Sequence, residues 1–206
     1  MRLKILQSCY PFLPSSTWNW TGVLFCIIVL CILKYLFIFQ LYITTALYVG
    51  EVDYVIEGPI GAGDGINIGD AWSDHDLYSN GYITAIELNT YYAWSCCWLV
   101  TAIRTRYGNV WSNWHGQAID TQEMFELNDG AVIETVKGGA GYYIDSMQFI
   151  TSDDITYGPY GDESMEGGDP YQYSHPNCRL AYFTGRSGDW LDSLTFHFEC
   201  AGMNYF

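Results

Sequence analysis

The sequence predicts an all-β domain behind a hydrophobic N-terminal helix. Three observations carry that expectation: the unequal division of charge along the 206 residues, the abundance of glycine and aromatic residues, and an internal repeat. Twenty-one Gly, 18 Tyr and 8 Trp, with no long charged helical stretch after residue 50, fit short strands joined by glycine-rich turns. The length suits one sizeable core.

All 23 acidic residues follow Gly50, against five basic ones there (Arg104, Arg106, Lys137, Arg179 and Arg186), so this part carries 5 − 23 = −18. Such a surface repels phosphate backbones and excludes nucleic acid as a partner. From Gly22 to Val49 the only charge is Lys34. As a helix this run is about 40 Å long, more than a bilayer core needs. Arg2 and Lys4 precede it, and Glu51, Asp53 and Glu57 follow it, which keeps the N-terminus cytoplasmic and sends the remainder outward.

Two readings fit this leader: an uncleaved signal anchor, which makes the membrane a partner, or a long signal sequence cut near Thr44-Thr45-Ala46. Either divides the chain into residues 1–50 and a domain at 51–206 in the secretory pathway, extracellular or membrane-anchored with the domain outside. Disulfides among Cys96, Cys97, Cys178 and Cys200 are then expected, with three full pairings open. Their spacing has no zinc pattern, and no metal or cofactor is expected.

Ile133–Phe149 laid over Leu180–Phe196 at an offset of 47 pairs Gly138 with Gly185, Gly141 with Gly188, Asp145 with Asp192, Ser146 with Ser193 and Phe149 with Phe196. Each copy reads as a hairpin: strand, glycine loop, strand. A weaker third copy spans Thr84–Thr105 and lacks the loop glycines and the Asp. Three such units cannot each bury an apolar face alone, so a closed, pseudo-threefold arrangement around a shared core follows. Alternation in the last copy places Asp192 with Leu194, Phe196 and Phe198 on the core face, and Leu191, Ser193, Thr195 and His197 opposite. A carboxylate there must accept hydrogen bonds, either from its own glycine loop or from a ligand.

Gly188-Asp189-Trp190-Leu191-Asp192, a Gly-x-x-x-Asp loop, is accompanied by the Tyr157–Gly161 segment and by Gly61-Ala62-Gly63-Asp64-Gly65. With these residues the chain resembles the jacalin-related lectin family over about Glu57–Glu199, the first matching that family's sugar loop. Ile83–Tyr92, Arg106–Gly116 and Gly185–Leu194 are most similar to the animal zymogen-granule-type lectins. The resemblance implies a β-prism of three four-stranded Greek-key sheets and calcium-independent binding of neutral mannose- or glucose-type glycans or glycoproteins. It implies that Asp192 accepts from two sugar hydroxyls, and that the N–H groups of Asp189 and Trp190 donate. Gly61 or Gly63 would approach by its backbone, and Gly138-Gly139-Ala140 would form a neighbouring specificity loop. A homo-oligomer is compatible with this reading.

Gly141-Tyr142-Tyr143-Ile144-Asp145 repeats the Gly-x-x-x-Asp pattern as a second candidate site, although no second glycine-rich partner loop is evident beside it. No catalytic set is expected, since the histidines are scattered and Asp145 and Asp192 lie in separate units. A different class of function is a β-prism without sugar binding. It would act in protein assembly or adhesion through an aromatic surface around Trp94, Trp98, Trp111 and Trp114.

Overall fold

The computed structural model describes residues 28–40, 53–61, 68–94 and 96–201. Residues 28–40 form a helix that belongs to one unit of the chain, and the strands belong to another. Thirteen helical residues span about 20 Å. Among the described residues no helix is long and apolar enough to cross a membrane, and the rest of the hydrophobic run lies outside them.

The second unit is built from three long antiparallel hairpins. These are β3 (Ile83–Ala93) with β4 (Cys97–Tyr107), β8 (Ile133–Ala140) with β9 (Ile144–Thr151), and β12 (Cys178–Ser187) with β13 (Leu191–Cys200). Each gains outer strands. β1 (Asp53–Gly61) and β2 (Asp70–Ser73) flank the last hairpin in the order β1-β13-β12-β2. β10 (Thr156–Gly161) and β11 (Asp169–Ser174) flank the middle one as β10-β9-β8-β11. β5 (Val110–Trp111) and β7 (Thr121–Glu126) flank the first as β5-β4-β3-β7, where the two-residue β6 (His115–Gly116) also pairs with β4. In the middle sheet the fourth strand in sequence returns beside the first, the Greek-key connection. The fold is therefore the expected three-sheet β-prism, with one short extra strand in the first-hairpin sheet.

One apolar core serves all three sheets, with Ile86, Leu88 and Ile103 from one, Val136, Met147 and Phe149 from the second, and Phe183, Leu194, Phe196 and Phe198 from the third. Each such side chain contributes about 1.5–3 kcal/mol by leaving water. The repeat glycines have a packing cause. A Cβ at Gly138 would stand 2.0 Å from the Ser146 carbonyl oxygen and 2.7 Å from the Tyr171 hydroxyl. At Gly185 it would stand 2.3 Å from the Ser193 carbonyl oxygen and 2.8 Å from the Trp72 ring. An aromatic residue of the outer strand occupies the space in both sheets.

Outer strands repeat as well. Gly58-Pro59-Ile60-Gly61 in β1 and Gly158-Pro159-Tyr160-Gly161 in β10 both interrupt their ladders with a register shift. Gly61 at φ +77° and Gly161 at φ +85° then pack on the carbonyls of Asp192 and Asp145, where a Cβ would lie 2.5 and 2.3 Å away. This second repeat is absent from the 47-residue alignment because the unit containing β12–β13 is split, its outer strands standing at the start of the domain.

Of the three cysteine pairings left open, the structure has Cys96–Cys97 and Cys178–Cys200. The latter joins directly opposed residues of β12 and β13. Cross-linking across a separation of 22 residues restricts the unfolded chain, and on the loop-entropy estimate is worth about 3 kcal/mol. Cys178→Ser with Cys200→Ser is therefore expected to lower stability by about that amount in denaturant unfolding; an unchanged midpoint would show that the bond adds nothing.

Candidate functional site

The β12–β13 turn departs from simple alternation at the candidate residues. Ser187 pairs with Leu191 but Arg186 pairs with Ser193, so Asp192 is the extra residue of a β-bulge. The bulge lets both Leu191 and Leu194 enter the core, each fully buried, and lifts Asp192 out between them, half-exposed. This corrects the alternation reading, which put Asp192 on the core face and Leu191 opposite.

One Asp192 oxygen, Oδ2, accepts from the Gly69 N–H at 2.9 Å. Gly69 sits immediately before β2, and a Cβ there would overlap the backbone of Ser187 and Gly188. No sequence signal singled it out, because its partner is 123 residues away. The turn itself is closed by the Gly188 N–H donating to the Trp190 carbonyl at 3.1 Å, and the Gln117 N–H donates to the Asp189 carbonyl at 2.9 Å. Among the described residues the N–H groups of Asp189 and Trp190 have no acceptor. The second Asp192 oxygen and the N–H groups of Asp189 and Trp190 are thus without a partner among the described residues at this turn.

Beneath the turn, the Trp72 ring that covers Gly185 stacks on His115 at 3.5 Å between centroids. His115 Nε2 lies 2.8 Å from the buried Asp74, whose other oxygen accepts from the Tyr107 hydroxyl at 3.1 Å. Burial, and then the Asp74 charge, hold the Tyr107 hydroxyl well above its ordinary pKa, so it remains a donor. This network anchors the sheet edge that supports the turn.

The other residues expected in the site divide. Gly61 closes β1 against the Asp192 carbonyl, which explains the glycine by backbone packing alone. Gly63 lies outside the described residues. Gly139 is corrected: with Gly138 and Ala140 it is a buried part of strand β8. Its N–H is satisfied by Ser146 Oγ at 2.9 Å, and the Gly167 carbonyl covers its face, 1.9 Å from where a Cβ would stand. The exposed loop at that edge is Gly141–Tyr143 instead, with Tyr142 65% exposed.

Asp145 repeats the Asp192 geometry in a different setting. It too is a bulge residue, between the pairs Ala140–Ile144 and Gly139–Ser146, and the Gly141 N–H donates to the Tyr143 carbonyl at 2.9 Å. A glycine-rich partner loop does stand beside it, contrary to the sequence reading. The segment from Asp162 to Gly168 closes down so far that a Cβ on Gly168 would be 2.5 Å from Asp145 Oδ2. Asp162 heads that loop, its carboxylate accepting from the Ser164 N–H and hydroxyl and from the Gly167 N–H. Burial, followed by the Asp162 charge, raises the Asp145 carboxyl above its ordinary pKa, whereas its own hydrogen bonds lower that of Asp162.

The aromatic surface also divides. Trp94 and Trp98 are exposed at the turn end, while Trp111 and Trp114 are half-buried, with the Arg104 guanidinium 4.8 and 4.9 Å from their ring centres. Trp98 and Arg106, the cross-strand partner of Trp111, are eight residues apart on β4, about 26 Å along the strand. The four tryptophans therefore do not form one patch.

A β-prism bearing a Gly-x-x-x-Asp turn at one end defines a non-enzymatic carbohydrate-binding domain, a lectin. The chain belongs to the jacalin-like lectin family, whose domain model matches residues 58–197. It is 33% identical to zymogen granule membrane protein 16 of Mus musculus over 122 residues, 58% of this chain and 68% of the relative. Among solved structures, wild-type Malaysian banana lectin shares the fold at 19% identity and a TM-score of 0.55, over 71% of this chain and 98% of that one. A structure described as an artocarpin-mannotriose complex does so at 24% identity and 0.54, over 71% and 97%.

The raised Asp145 carboxyl has a consequence for stability. Because the folded state holds that proton more tightly than the unfolded chain, the associated stability is present below the ordinary carboxylate pKa and is lost as pH rises through the folded value. Asp145→Asn removes the titration, so its melting temperature is expected to gain on the parent's as pH rises from the ordinary aspartate range through the folded value. A difference independent of pH in paired melts would contradict this.

Proposed function

We propose that the β12–β13 turn binds a neutral hexose of mannose or glucose type, with Asp192 as the central acceptor. The observation that carries this reading is the bulged, half-exposed Asp192 carboxylate, with one oxygen held by the Gly69 N–H, at the end of a turn whose Asp189 and Trp190 N–H groups have no acceptor among the described residues. A carboxylate accepts from neighbouring hydroxyls, and amides held by a closed turn donate without reorganising. Both needs are met by a polyol and neither requires a metal. The net −18 of the domain disfavours anionic glycans. Asp145 is the weaker candidate, because Gly168 and the Asp162 charge crowd the carboxylate that a second sugar would need, leaving Gly141, Tyr142 and Tyr143 as loop neighbours.

A location in the secretory pathway, extracellular or membrane-held, rests on the apolar run at Gly22–Val49, the Cys178–Cys200 bond and the name of the granule-membrane relatives. Carbonate extraction of expressing cells discriminates the two leaders: a pelleted full-length chain supports an anchor, and a shortened product in the medium supports cleavage.

Asp192→Asn tests the site. The Asn carbonyl can keep the Gly69 bond, so the fold should survive with a modest fall in melting temperature. Replacing an anionic acceptor by an amide should cost about 1.5–3 kcal/mol of glycan binding, roughly ten- to a hundredfold. Parent binding should persist in chelator. A variant that binds as well as the parent but melts early would reduce Asp192 to a loop cap.

A further inference from the structure

The β3–β4 turn lacks the loop glycine and the Asp of the other two, and in their place it carries Trp94 and the bonded neighbours Cys96 and Cys97. Trp94 has a left-handed backbone at φ +49° and is 64% exposed. Its ring centre lies 5.2 Å from that of Trp190 and 5.6 Å from that of Tyr143, which are themselves 4.9 Å apart. One ring comes from each hairpin turn, so the three sheets meet in an aromatic triangle. Trp190 and Tyr143 are half-buried in it, and Trp94 gives most of its surface to water.

We propose that Trp94 is a specificity-determining residue: its exposed ring, braced by Trp190 and Tyr143, is a platform for the second residue of a neutral glycan whose first residue is held at Asp192. This rests on the lectin reading of Asp192. Trp190 belongs to the Asp192 turn and its ring meets that of Trp94, which ties the platform to the turn that holds the first sugar. A pyranose has a face of C–H groups that suits the electron-rich face of an indole, while its hydroxyls stay at the wet rim. A ring already braced by two others loses little freedom on binding. The protein therefore prefers an oligosaccharide to its terminal monosaccharide.

The test is calorimetric titration of the full chain in detergent with methyl α-mannoside and with mannotriose, comparing the parent with Trp94→Ala, Trp94→Phe and Asp192→Asn. Trp94→Ala is expected to weaken mannotriose binding roughly three- to tenfold while methyl mannoside changes by less than about twofold. Trp94→Phe should retain most of the difference, and Asp192→Asn should lose both sugars. Equal losses for both sugars in Trp94→Ala would make the residue a support for Trp190 and overturn the platform; so would no loss for either. A Trp94→Ala protein melting far below the parent overturns it too. In all three cases the Asp192 site stands as long as Asp192→Asn loses both sugars. A parent that binds neither sugar removes the hexose reading along with the platform.

Discussion

No hairpin of the three has apolar surface enough to stand alone, and the shared core of Phe, Leu, Ile and Met side chains is the constraint on which everything else depends. Closing three sheets around that core brings their hairpin turns to one end, and the contacts among Trp94, Tyr143 and Trp190 are its direct result. The close approach of outer strands to the hairpins then dictates glycine at 138 and 185, where aromatic residues fill the space a side chain would take. Core formation and site formation are one packing problem solved at two ends of the same strands.

The repeat was legible in the sequence because packing forces the same residue types into equivalent places at a constant offset. Gly-Pro-x-Gly at 58–61 and 158–161 escaped that alignment, since one sheet takes its outer strands from the beginning of the domain and its hairpin from the end. Alternation misplaced Asp192 for a local reason: a bulge changes register by one residue, and nothing in Leu191-Asp192-Ser193 announces it. Gly69 was invisible because its role exists only through a carboxylate far along the chain. Gly139 misled in the opposite direction, its neighbours suggesting a loop where the structure has a buried strand.

Asp145 and Asp192 show how one turn acquires two characters. Both are lifted by a bulge and both stand above a glycine-closed turn. What separates them lies outside the turn: an acidic loop capped by Asp162 presses on the first, and the Gly69 N–H meets the second. Residue identity in the motif therefore does not fix the setting of its carboxylate; the facing loop decides whether its charge is repelled or steadied.

The pairing of the first strand with the last has a mechanical consequence. Asp53 opposes Cys200 at one end of the β1–β13 ladder, and Gly61 opposes Ser193, next to Asp192, at the other. Force applied at Asp192 against a hold on Asp53 loads this ladder along its length, in shear, so that its hydrogen bonds share the force and do not open one after another. The same antiparallel pairing would unzip if pulled from Asp53 and Cys200 together. An attachment point at Asp53 with cargo at the turn end is thus the loading direction in which this sheet is strongest.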